Sequence, residues 1–136
     1  MAIGPERPGN SVTGTKRHWE IIFHDEFLAE FRVLSRPVQE ELIAFVQNIR
    51  ERGPILGRPY VDALKGSSHA NMKELRFDAD GGVWRVAFAF DPERRAIVPV
   101  AGDKGGVAQR RFYHELIHIA DQRFDKHLKA LRSKKG

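Results

Sequence analysis

The side chains best placed to do chemistry are Arg76, Arg85 and Lys104, together with the pair His114 and His118. The cationic group sits in a stretch that alternates like β-structure: MKELRF, then VWRVAFAF, then AIVPVAGDK. Alternation sends Trp84, Val86, Phe88 and Phe90 to one face, and Arg85, Ala87 and Ala89 to the other. If Asp78 pairs with Val83 around the turn, Phe77 opposes Trp84 and Arg76 opposes Arg85. A shift by one residue would set Leu75 against Arg85 and mix the faces, so the apolar pattern selects the first register. In the second hairpin, pairing Phe88 with Val98 and Val86 with Val100 places Arg85 beside Ala101. Gly102-Asp103-Lys104 then emerges at the arginine end. Two opposed arginines repel unless an anion lies between them. Guanidinium groups grip phosphate in a fork geometry, and Lys104 adds a point charge or a proton. Ala87, Ala89 and Ala101 leave room for such a ligand. The plainer alternative pairs Arg76 with Glu74 or Asp78, and Arg85 with Asp103.

His114-Glu115-Leu116-Ile117-His118 matches H-E-x-x-H, in which two histidines one helical turn apart ligate zinc and the glutamate activates water. A catalytic zinc wants a third protein ligand. The extended forms would place glycine and histidine where Asp121 and Phe124 stand, and no glutamate follows His118. The pattern therefore reads first as a solvated helix stripe of His114, His118, Asp121 and Asp125. A zinc hydrolase, or a bare metal-binding histidine pair, is the minor alternative.

These residues need elements to hold them. Trp19–Phe23 predicts a first strand, capped by His24 or Asp25 into a helix with Phe27, Leu28, Phe31 and Leu34 on one side. Ser35 and Pro37 open a second helix, with Val38, Leu42, Phe45, Val46 and Ile49 at helical spacing, ended by Gly53-Pro54. So short a link predicts an antiparallel helix pair. Gly57 to Ala70 reads as a connector holding Tyr60, Lys65 and His69, each able to meet a ligand. A last helix spans about Val107 to Leu131. The fold expected is α+β: a small antiparallel-rich sheet, an N-terminal strand plus a three-stranded meander, packed on the helix pair, with a long C-terminal helix. Residues 1–17 read as a flexible arm, 18–131 as the folded domain and 132–136 as a basic, frayed tail.

Composition sets the outer bounds. A chain of 136 residues, 41% hydrophobic and 30% charged, fits one soluble domain. No apolar run approaches a membrane span, and residues 1–17 have no signal-peptide core. The absence of cysteine removes disulfides and thiolate metal sites and suits the cytoplasm. The net charge of +5 favours a polyanionic partner, against the plainer reading of surplus solvating lysine.

The order of elements, with Leu64-Lys65-Gly66, Lys73-Glu74-Leu75-Arg76, Trp84-Arg85-Val86 and Gly102-Asp103-Lys104, resembles the RelE/ParE superfamily of toxin–antitoxin toxins, and most of all its HigB-like branch. The resemblance implies an endoribonuclease that cuts mRNA, typically on the ribosome, without metal or other cofactor. The 2′-hydroxyl attacks the adjacent phosphate and leaves a 2′,3′-cyclic phosphate. It implies Arg76, Arg85 and Lys104 as catalytic residues, with Lys65, Lys73, Arg94 and Arg95 as RNA contacts. His69, Tyr113 and His114 are the candidates for acid or base; Tyr113 and His114 fall inside the predicted helix, which leaves that role unassigned. The partners implied are a cognate antitoxin of helix-turn-helix type, mRNA and the ribosome. ParE-like members share the fold and inhibit gyrase, so a non-catalytic toxin is the second reading.

Overall fold

The computed structural model describes residues 2–3, 18–55 and 60–135. Along the chain run β1 (Ala2–Ile3), β2 (Glu20–Phe23), α1 (Asp25–Arg32), α2 (Arg36–Arg52), a 3-10 turn (Gly53–Ile55), β3 (Val61–Ala63), β4 (Lys73–Ala79), β5 (Gly82–Phe90), β6 (Arg95–Asp103) and α3 (Gln109–Lys135). Among the described residues the strands form one sheet in the order β1-β2-β6-β5-β4-β3. β2 runs parallel to β6, and the other neighbours are antiparallel. The expected α+β architecture is present.

Local chemistry sets the boundaries. His24 caps α1, its Nδ1 accepting from the Glu26 N–H at 3.2 Å. Ser35 precedes α2 with a proline in the first turn. α2 stops at Gly53, whose φ is +57° and where a Cβ would collide with the Trp19 indole. Glycine alone meets both conditions. Gln39 Nε2 donates to the Phe31 carbonyl at 2.7 Å and ties the start of α2 to the end of α1.

Two cores lie on the two faces of the sheet. Phe23, Phe27, Leu42, Val46, Leu75, Phe77, Val86 and Phe88 join α1 and α2 to one face. Ala87, Ala89, Ile97 and Val100 meet Phe112, Leu116, Ala120 and Phe124 of α3 on the other. This second core corrects the expectation of open space beside the arginines. The small alanines let α3 approach closely, and both Ala87 and Ala89 are fully buried. Gly102 serves the same end: a Cβ there would sit 3.0 Å from the Phe112 ring.

The β4–β5 register is the expected one, with Asp78 against Val83, Phe77 against Trp84 and Arg76 against Arg85. The β5–β6 register departs from expectation. Ala89 pairs with Ile97, but Ala87 pairs with Val100 and Arg85 with Gly102, not Ala101. Phe88 therefore faces two residues, Val98 and Pro99, across a β-bulge. Proline has no N–H for the ladder and is confined to such places. The bulge frees the Pro99 carbonyl for Arg123 Nη1 at 2.9 Å and returns Ala101 to the face of α1 and α2.

Three further boundaries differ. The connector contains β3, paired antiparallel to β4 through Val61–Leu75, Asp62–Glu74 and Ala63–Lys73. Three residues are too few for alternation to announce a strand. The expected frayed tail is helical through Lys135. Within the expected arm, Ala2–Ile3 pairs with β2; Met1 and residues 4–17 lie outside the described residues.

Candidate active site

Glu74 and Arg76 are two apart on β4 and share a face, and the register sets Arg85 of β5 beside them. The first turns of α3 lay Tyr113 over this group. Its hydroxyl donates to Glu74 Oε1 at 2.7 Å and accepts from Arg85 Nε at 3.1 Å. Arg76 Nη2 donates to Glu74 Oε2 at 2.9 Å and lies 3.6 Å from Asp62 Oδ2. Arg85 Nη1 donates to the Trp84 carbonyl at 2.9 Å, while its Nε stands 3.9 Å from Glu74 Oε1. One buried carboxylate thus separates two arginines that would otherwise repel.

The environment is graded. The Glu74 side chain is 6% exposed and that of Arg85 14%, whereas Arg76 is 40% exposed and opens the group to solvent. Among the described residues, Arg76 Nε is buried without a hydrogen-bond partner. The hydrogen bond to Glu74 raises the pKa of Arg76 above its ordinary value. Burial, and then the bond to Glu74, push the Tyr113 phenol upward. Tyr113 therefore stays a neutral phenol. A cleft of about 280 Å3 opens onto the group, lined by Leu64, Lys65, Glu74, Arg76, Gln109 and Tyr113 among others.

Of the residues expected from sequence, Arg76, Arg85 and Tyr113 come together, and Lys65 lies on the cleft wall. Lys104 follows β6 at the same end of the sheet, its N–H donating to the Val83 carbonyl at 2.7 Å. Asp103 does not meet Arg85; its Oδ1 accepts from the Val83 and Gly105 N–H groups at 2.9 Å each. Tyr113 and Glu74 take its place. The alternative Arg76–Glu74 pair does form, but as part of the cluster and not instead of it.

The other candidates fall elsewhere. Lys73 alternates with Leu75 and Phe77, away from the arginine face. Arg94, at φ +63°, stacks over Trp19 at 4.1 Å in the far hairpin turn. Beside it Arg95 contacts Asp91 Oδ2 at 3.0 Å and Glu93 Oε1 at 3.2 Å, which ties it into its own turn. His69 packs on Phe124, its Nε2 2.7 Å from Asp125 Oδ1. That is three turns along α3 from Tyr113, roughly 18 Å at 1.5 Å per residue.

His114 and His118 are exposed on α3. Among the described residues no group of three His, Cys, Asp or Glu side chains converges to hold a metal ion. The stripe they begin is not simply solvated. Asp121 accepts from Ser67 Oγ at 2.5 Å and from the Ser68 N–H at 2.8 Å, while Asp125 holds His69, so its second half fastens the connector to α3.

Glu74 is the member that sequence reasoning took only as an ion-pair partner. The signal lay in its alternation: a carboxylate on the same face as Arg76 and diagonal to Arg85 is the counter-charge that face needs.

Residues 29–125 match the family described as phage-derived protein Gp49-like (DUF891). The chain is 45% identical over 96 residues to the Mycobacterium tuberculosis protein named "Putative toxin HigB2", a match covering 70% of this chain and 47% of that protein. It is 43% identical over 93 residues to "Putative toxin HigB3" of the same organism, covering 68% of this chain and 79% of that protein. The matched region thus spans about half the length of the first relative and most of the second. No solved structure gives a significant match.

Proposed function

The chain belongs to the phage-derived Gp49-like family (DUF891), and we propose that within it this protein is the toxin of a toxin–antitoxin module, a HigB-like member of the RelE/ParE superfamily. Its activity is the metal-independent cleavage of mRNA, on the ribosome, in the cytoplasm. A helix-turn-helix antitoxin holds it inactive. Residues 18–131 form the toxin unit.

One observation carries this reading: two arginines on opposed strands share a buried carboxylate beside a neutral tyrosine, with Arg76 on the wall of a cleft and its Nε without a partner among the described residues. Guanidinium groups in that position suit a phosphodiester. A bound phosphate displaces part of the pairing to Glu74 and takes up Arg76 and Arg85, with Lys104 and Lys65 along the strand of RNA. Attack by the neighbouring 2′-hydroxyl passes through a phosphorane that carries more charge than the ground state. Fixed cations at that point lower the barrier. Residues 66–70, pinned to α3 through Asp121 and Asp125, brace the cleft wall behind Lys65.

The reading is tested by incubating the protein with mRNA on translating ribosomes, with and without EDTA, and mapping the ends. Cuts that survive EDTA, leave 2′,3′-cyclic phosphate and vanish when the nucleotide 5′ of the cut is 2′-deoxy support it. Intact mRNA alongside inhibited DNA supercoiling would sink it in favour of a gyrase-directed toxin.

A further inference from the structure

Arg76 lines two cavities: the cleft already described, and a second of about 400 Å3 where α2 meets β4. We infer that this second cavity takes a nucleobase next to the scissile phosphate, stacked on Tyr60; this rests on the ribonuclease reading.

Three rings stand in a row there. Phe45 of α2 stacks on Phe77 of β4, with centroids 5.8 Å apart and planes 18° from parallel. Tyr60 follows, 6.0 Å from Phe45 and tilted by 50°. Phe77 is buried and Phe45 half-buried, but Tyr60 is 56% exposed. Its backbone is nonetheless fixed. The Arg76 N–H donates to the Tyr60 carbonyl at 2.9 Å, which carries the β3–β4 pairing one step further. The exposed ring is thereby held beside the residue proposed to grip phosphate. A tyrosine is a rigid, amphipathic platform, and every nucleobase offers it a flat π-face.

The charges of this cavity separate base from backbone. Besides the rings it is lined by Arg76 and Arg85, and by the exposed carboxylates Glu41 and Asp78. Those carboxylates repel a phosphate and leave it to the arginines. A base is uncharged, and its exocyclic amino groups donate to a carboxylate. One nucleotide thus satisfies both halves of the arrangement, its phosphate on Arg76 and its base on Tyr60. Continuity through Arg76 favours the RNA already in the cleft over a separate protein partner as the occupant.

The test measures binding by fluorescence anisotropy, using an RNA blocked with a 2′-deoxy nucleotide 5′ of the mapped cut. Two further RNAs each lack one base, on the 5′ or the 3′ side of the scissile phosphate. One of the two should bind the wild-type protein about tenfold more weakly than the intact RNA. Tyr60→Ala should lose about tenfold on the intact RNA and nothing more on that abasic RNA, because the stack is already gone. Tyr60→Phe keeps the ring and should stay within about twofold of wild type. Melting curves check that Tyr60→Ala remains folded. Losses that add, or two abasic RNAs that both bind the wild-type protein like the intact one, overturn the stack. Tyr60→Ala binding the intact RNA as tightly as wild type also overturns it, and assigns the exposed ring to a protein partner. In each case the ribonuclease reading stands, provided the wild-type protein cuts mRNA. A wild-type protein that cuts none on translating ribosomes overturns both.

Discussion

Arg85 is held on three sides: by the Trp84 carbonyl, by Tyr113 and by the charge of Glu74. Such fixation means little reorganisation when charge develops on a phosphate. Arg85→Ala should reduce RNA cleavage by roughly 100- to 1,000-fold, the range for loss of one preorganised charge donor. Its melting temperature should stay close to wild type, since the residue borders the core and does not form it. Arg85→Lys should recover only a part, because an ammonium cannot reach Tyr113 and a phosphate in one plane. Cleavage rates of both variants, set beside their melting curves, check this; an Arg85→Ala protein that cuts at the wild-type rate would remove Arg85 from the site.

At the level of elements, the far hairpin has its own lock. Asp91, whose side chain is fully buried, accepts from the Glu93 and Arg95 N–H groups, from Arg95 Nε and from His127 Nε2 of α3. Burial alone would push its carboxyl up, but the bond from His127 and those from Arg95 and Glu93 hold it below its ordinary value. A depressed pKa contributes stability that is present above the unfolded value and is lost as pH falls through the folded one. Asp91→Asn should therefore destabilise the protein by about 2–4 kcal/mol near neutrality, through lost charge and opposed donors. The gap to wild type should narrow below about pH 4, as urea titrations across pH would show. α3 has a second anchor in Phe124, which is 2% exposed under the sheet. Phe124→Ala should cost about 3–5 kcal/mol, read from the same titrations. The weakened packing would also loosen the hold on His69 and the connector.

At the scale of the whole molecule, the net charge of +5 should add to the pull of the cleft's cations on a polyanion. RNA bound through about three phosphates should lose roughly twentyfold in affinity between 50 and 200 mM salt, following a slope of about 0.7 per contact. Fluorescence anisotropy with a 2′-deoxy-blocked RNA reads this without turnover. A flat salt response would argue against phosphate as the principal contact. The candidate site lies where β4, β5 and α3 meet, so packing on both faces of the sheet fixes the arginines from below and Tyr113 from above.

Sequence alone determined what is local or periodic. The cap at His24, the start of α2 after Ser35, the stop at Gly53, and the pairing of Arg76 with Arg85 follow from short-range chemistry and from an alternation that only one register satisfies. Even so, a single proline moved Arg85 from Ala101 to Gly102, because one bulged residue reverses every side chain after it. Tertiary structure decided the rest. Which face α3 covers cannot be read from its own periodicity, since an apolar stripe fits any apolar partner. Docked on Ala87 and Ala89, it carries Tyr113, 39 residues from Glu74 in sequence, to 2.7 Å from its carboxylate. It also sends His114 and His118 outward, to solvent. The arginine face is therefore not an empty shelf for a ligand but half of a cluster, completed only when the chain's last helix closes over it.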